Sequence, residues 1–229
     1  MQLPVDARLV EARMRDLAQT TVNQTVSLFK GATFALAAVL LIEILGQPEG
    51  RLLRSSLWVC SFLLALTSYN AYINTSVIDF RESVTGVVVI IAQLMVELML
   101  FAAQAPRYSE YAWRYWVFIY AAFMIITVVR LLLFGMNRGL AVGPDLKPML
   151  DAVNEQRRRN SWRLLTVAVF ALAFGIAIIA LPLQSQWPAD LTIAWAVIAS
   201  IQSLNGLVGM HRQREMMERM LDEALARGS

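Results

Sequence analysis

The sequence predicts an all-α fold, a polytopic membrane bundle of six transmembrane helices with short cytoplasmic amphipathic helices at its ends. Three observations predict it. The 229-residue chain is 58% hydrophobic and 16% charged, with a mean hydropathy of +0.54, whereas soluble domains carry about 25% charged residues. The charges are also segregated, because windows 26–45, 57–74, 84–105, 112–134, 164–183 and 191–210 hold 123 residues and only five charges. Each window reaches the roughly 18 apolar residues that let a helix cross a hydrocarbon layer about 30 Å thick. The other 106 residues fall into seven short pieces, none able to close a soluble core of its own. The expected organisation is an amphipathic helix over 1–25, a transmembrane domain over 26–210, and a second amphipathic helix over 211–229.

Taken in order, residues 1–25 place Val10, Met14, Leu17 and Thr21 on one face and Arg8, Glu11 and Arg15 around the other, the pattern of a surface helix. They lack the short apolar core and cleavage site of a secretory signal, so span one is expected to direct the chain to the membrane. Span two aligns Thr67, Asn70 and Asn74, and span three aligns Gln93, Glu97 and Gln104. Span four follows the aromatic run Tyr108, Tyr111, Trp113, Tyr115, Trp116, rings suited to a membrane interface, and aligns Thr127, Arg130 and Asn137. The connection 135–163 begins with a Gly/Pro stretch, after which Pro148 is expected to open a helix leading into span five. Span five is almost purely apolar from Val167 to Leu183, as a lipid-facing helix would be. Span six carries Gln202, Asn205 and Gly209 on one stripe, and the tail places Met217, Met220, Leu221, Ala224 and Leu225 on another.

Basic residues near span ends favour the cytoplasmic side. With the amino terminus inside, fifteen Lys and Arg fall on that side, Lys30 among them, against four outside. This predicts cytoplasmic termini in a plasma (bacterial inner) membrane, and explains the net charge of +3 without nucleic acid as a partner. Arg157, Arg158 and Arg159 are expected to anchor span five at anionic lipid headgroups. Leu41-Ile42-Glu43-Ile44-Leu45 in span one parallels Met95-Val96-Glu97-Leu98-Met99 in span three, which suggests three tandem helical hairpins.

Composition closes several classes. One cysteine, Cys60, and one histidine, His211, exclude an intrachain disulfide and thiolate or imidazole metal clusters. No dinucleotide, phosphate-loop, zinc-protease or serine-hydrolase motif is present. No catalytic residue, metal site or cofactor is therefore expected, and the protein reads as a non-enzyme.

Polar side chains within spans turn toward other helices or water. Glu97 stands 13 residues into its window, roughly 20 Å deep. It reads either as a proton- or cation-coupling carboxylate with Gln93 and Gln104 as neighbours, or as a structural one bonded to Tyr120 or Ser61. Arg130 reads either as a snorkelling anchor or as part of an inner polar cluster with Asn70 and Asn205. The expected function is an ion, proton or small-solute channel or transporter, working as a homo-oligomer or membrane complex. Its pathway would be lined by Glu97, Gln93, Gln104, Asn70, Asn74, Arg130, Gln202 and Asn205. Prolines lie only at span ends, so the broken helices of many secondary transporters are not expected. The alternative is a non-catalytic subunit, scaffold or effector that binds a cytoplasmic protein through its terminal helices and the 135–163 connection.

Overall fold

The computed structural model describes residues 7–78, 84–105, 112–134, 147–181 and 187–228. Side-chain detail begins at Thr20, so most of the predicted amino-terminal face lies outside the described residues, as do the side chains of Asn74, Arg157 and the Met stripe of the tail. Among the described residues there are six helices and no strand: α1 (Ala7–Gly46), α2 (Arg51–Ile78), α3 (Val84–Ala102), α4 (Trp113–Phe134), α5 (Lys147–Ala180) and α6 (Trp187–Gly228).

Local chemistry sets the breaks. Pro48 cannot continue α1, and Gly50 turns the chain at φ 64°, a left-handed conformation that costs other residues about 1 kcal/mol. Arg54 N then donates to Gly50 O at 3.0 Å and α2 begins. At the end of α3, Gln104 N and Ala105 N donate three residues back, to Phe101 O and Ala102 O. Ala105 precedes Pro106, whose ring disfavours helical geometry in the residue before it. The apolar part of α3 consequently stops short of the predicted window.

Five stretches are long and apolar enough to cross a membrane: Thr20–Gly46, Arg51–Ile73, Trp113–Leu132, Arg158–Ala180 and Trp187–Arg212. The third predicted window is a shorter apolar helix, Gly86–Ala102. The 19 residues of α3 span about 28 Å. The outer surface is apolar, with Ile42, Phe170 and Ile176 more than 60% exposed, an exterior suited to lipid rather than water. The chain thus has the build of a membrane protein. Among the described residues, α1 runs without a break from Ala7 into its apolar stretch, and α6 continues without a break from its own to Gly228.

The helices alternate in direction. Trp58 Nε1 donates to Ala37 O, Arg54 to Gln104 O, and Arg114 to Ile178 O and Leu181 O at one end of the bundle. Nearer the other end Lys30 meets Ser68, Gln93 meets Thr127, and Thr67 meets Ser203. The start of α1 and the end of α6 therefore share one face, called here the terminal face.

The packing order is α6 on α2, α2 on α1 and α3, α3 on α4, and α4 on α5. α1 pairs with α2 and α3 with α4, but α5 and α6 barely touch beyond the Phe174–Trp195 stack at 5.0 Å. Small residues permit the tight seams: Ala168 and Ala171 on α5 and Ala196 and Ala199 on α6 are buried in one core with Leu57, Trp116 and Tyr120. Ala37, Leu40, Ala65 and Phe101 close a second core where α1 crosses α2 and α3.

Candidate functional site

Four helices contribute to one buried polar network. On α1, Lys30 is 3% exposed, and its ammonium forms an ion pair with Glu97 of α3. Lys30 Nζ also donates to Ala65 O and Ser68 Oγ, both at 3.1 Å. The Ser68 hydroxyl of α2 donates to the other Glu97 oxygen and accepts from Gln93 Nε2 at 3.3 Å. Gln93 Oε1 in turn accepts from Arg130 Nη1 of α4 at 3.0 Å. The guanidinium lies 5.4 Å from the ring centre of Tyr72, whose hydroxyl donates to Asn23 Oδ1 at 2.6 Å.

Each link has a local cause. Gln93 and Glu97 are one helical turn apart, so both point into the same seam. Ser68 sits on the inward stripe of α2 with Leu64 and Tyr72. Burial of three charges is tolerable because every one is hydrogen-bonded to a neighbour. The network holds two cations and one carboxylate among the described residues.

Beside it lies a cavity of about 740 Å³ lined by α2, α3, α4, α5 and α6, within the roughly 300–1,000 Å³ usual for small-molecule sites. Ser68, Gln93, Thr127 and Arg130 form the wall on the network side. Leu64, Tyr120, Phe123 and Met124 line its inner end, and Asn160, Arg163, Gln202 and Asn205 line the side toward the terminal face. The Lys30–Glu97 pair is not part of the wall. It stands one hydrogen bond behind, through Ser68.

The predicted pathway residues separate into groups. Gln93, Glu97 and Arg130 come together in the network, while Gln202 and Asn205 line the cavity as exposed residues. Gln104 belongs elsewhere: its Nε2 donates to Ser61 Oγ and Leu100 O, each at 2.7 Å, near the end of the bundle opposite the terminal face. Trp116 Nε1 joins that cluster by donating to Ser61 Oγ at 2.9 Å. Asn70 is exposed and outside the cavity wall, because the inward stripe of α2 runs through Leu64, Thr67, Ser68 and Ala71. Two residues beyond Ser68 on a helix is the opposite side. Asn74 lies outside the described side chains. Arg158 and Arg159 are exposed and both pair with Glu155 at 3.0 Å.

Two assignments change. Lys30, counted with the cytoplasmic charges, is withdrawn into the bundle. Glu97 bonds to Lys30 and Ser68 instead of Tyr120 or Ser61. Sequence reasoning missed Lys30 and Ser68 as site residues. The available signal was that spans one and three carry charges of opposite sign, and such charges inside a bilayer pair with each other.

Comparison with protein-family models, with curated proteins and with solved structures yields no match to this chain.

Proposed function

We propose that this protein is a six-crossing, non-catalytic membrane carrier for an anionic cargo held in the cavity. The observation that carries the reading is that Ser68 and Gln93 belong both to the cavity wall and to the network that holds Lys30 against Glu97. Occupancy of the cavity and the fastening of α1 to α2 and α3 are therefore coupled through shared hydrogen bonds. The cargo's sign is read from the exposed guanidinium of Arg163 in the wall, where no carboxylate stands among the described lining residues. We read α3 as the sixth crossing, slightly short and surrounded by α1, α2 and α4. With Lys30 removed from the tally, fourteen basic residues remain on the terminal side against four, which supports a cytoplasmic terminal face in a plasma (bacterial inner) membrane. The cavity is lined by helices of one chain.

The test is transbilayer movement of water-soluble and amphiphilic anionic probes in proteoliposomes. Wild type is expected to move at least one, and Glu97→Gln to slow it by about tenfold or more, since a buried partner charge is left unmatched. The double variant Lys30→Met/Glu97→Leu, which removes both charges, is expected to fold and to remain slow. Movement of no probe by wild type overturns the reading.

The second reading, a scaffold for a cytoplasmic protein, is favoured by one observation. α1, α5 and α6 continue beyond their apolar stretches, α6 by 16 residues past Arg212, or roughly 24 Å of projecting helix. Truncation after Arg212 leaves transport intact on the carrier reading and abolishes function on the scaffold reading.

A further inference from the structure

Resting on the carrier reading, we propose that the cargo is an anionic phospholipid that reaches the cavity sideways from the bilayer, through the seam between α5 and α6. The ring of helices around the cavity is closed by packing between α6 and α2, α2 and α3, α3 and α4, and α4 and α5. The seam between α5 and α6 is the most sparsely packed: the helices meet at Phe174 and Trp195, and both contribute to the cavity wall toward the terminal face. Beside that seam, about one helical turn from the stacked pair, Ile198 of α6 and Phe170 of α5 present apolar side chains outward, each more than half exposed. A solute from water would gain nothing from such a margin. An acyl chain lying in the seam would remain in an apolar medium along its whole length.

Depth and charge fit the headgroup. Arg163 follows the start of the apolar stretch Arg158–Ala180 by five residues, about 8 Å along the helix, where the hydrocarbon gives way to phosphates. A guanidinium binds a phosphate through paired parallel hydrogen bonds. Arg163, exposed on the side of the wall toward the terminal face, provides such a group, and Asn160, Gln202 and Asn205 add neutral donors. The inner end, with Leu64, Phe123 and Met124, suits the glycerol backbone and the first methylenes. The remaining chain length stays in the bilayer.

The experiment uses full-length protein from mixed vesicles of phosphatidylcholine and phosphatidylglycerol in equal parts, with retained lipid counted by native mass spectrometry. Wild type is expected to retain phosphatidylglycerol in preference to phosphatidylcholine. Arg163→Gln is expected to reduce that preference by about fivefold, the effect of one basic residue on an anionic lipid. Gly209→Leu supplies a variant that leaves the charges alone. Gly209 lines the cavity and an added Cβ there meets nothing within 4 Å, so the leucine occupies open space and is expected to lower phosphatidylglycerol retention while the melting temperature holds. Equal retention of the two lipids, or a preference unchanged in both variants, overturns the proposal. So does displacement of phosphatidylglycerol by glycerol 3-phosphate, its water-soluble headgroup fragment, which would identify a solute site. The binding measurement needs no gradient. A lipid preference without transbilayer movement therefore sinks the carrier reading, and Glu97-dependent movement without a lipid preference sinks this inference alone.

Discussion

Lys30 of α1 and Glu97 of α3, 67 positions apart in the chain, form an ion pair in which both side chains are less than 5% exposed. Ser68 of α2 bonds to both, so three helices meet at one polar point in an apolar bundle. Removing one partner leaves a buried charge unmatched, whereas replacing both with apolar side chains of similar volume removes the penalty. Lys30→Met and Glu97→Leu are each expected to destabilise the protein by about 3 to 5 kcal/mol, and the double variant to recover most of that loss. Thermal unfolding in detergent, arranged as a double-mutant cycle, reads the coupling. Additive single effects would show that the pair does not interact.

Gly175 lets α5 lie directly on α4. A Cβ at this position would stand 3.0 Å from the Phe118 ring, closer than side chains pack without adjustment. Gly175→Leu is expected to cost about 1 to 3 kcal/mol by overpacking, and Phe118→Ala in the same chain to relieve part of it. Melting temperatures of the two single variants and the double variant check this. A neutral Gly175→Leu would mean that α4 and α5 are farther apart.

Arg114 closes the far end of α5. Its Nη1 donates to Ile178 O at 3.3 Å and Leu181 O at 3.2 Å, carbonyls that the end of a helix leaves without backbone partners, and its charge opposes the negative end of the helix dipole. Arg114→Met is expected to fray the last turn of α5 and to cost about 1 kcal/mol. Hydrogen exchange, measured peptide by peptide, should rise around Ile178 and not in the α2–α3 seam. A uniform rise across the bundle would contradict a local capping role.

Among the described residues outside the apolar stretches, Glu155 is a pH-dependent group. Hydrogen bonds from Arg159 and then Arg158 hold its carboxyl below the ordinary carboxylate value. A depressed value in the folded state means that the associated stability is present above the unfolded value and is lost as pH falls through the folded one. Glu155 should therefore titrate at lower pH than an ordinary glutamate, and Arg158→Gln/Arg159→Gln should return it toward the usual range. Carboxyl carbon shifts followed by NMR test this, with high salt expected to mimic the double variant because the group is solvated. An unchanged titration in the double variant would exclude the pairing.

Much of the architecture was legible because a bilayer imposes a local rule: a helix crosses where about 18 consecutive residues lack charge. Windows two to six each overlap an apolar helix of the structure, although α3 is shorter than expected and windows two and five, like the first, start late, at Leu57 against Arg51 and at Leu164 against Arg158. The first window began at Val26, whereas the apolar stretch of α1 starts at Thr20. The residues between, Thr20-Thr21-Val22-Asn23-Gln24-Thr25, are mostly polar but uncharged. That displacement put Lys30 near a membrane edge and Glu97 deep inside, hiding a match in depth. Counted from the observed starts, Lys30 is ten residues after Thr20 and Glu97 eleven after Gly86.

By itself the sequence determined the helical class, the membrane environment and the few spans that carry polar side chains, since hydropathy depends on residues near one another in the chain. Only the tertiary structure decided which of those side chains meet. Helix rotation turned Asn70 outward and Ser68 inward, two positions apart, and the end of α3 at Ala102 gave Gln104 to a different cluster from Glu97. The cavity exists because α5 packs on α4 and α6 on α2 rather than on each other. Those choices depend on Ala and Gly faces that fit at a distance in the chain, a steric match between helices that the composition of each helix alone does not contain.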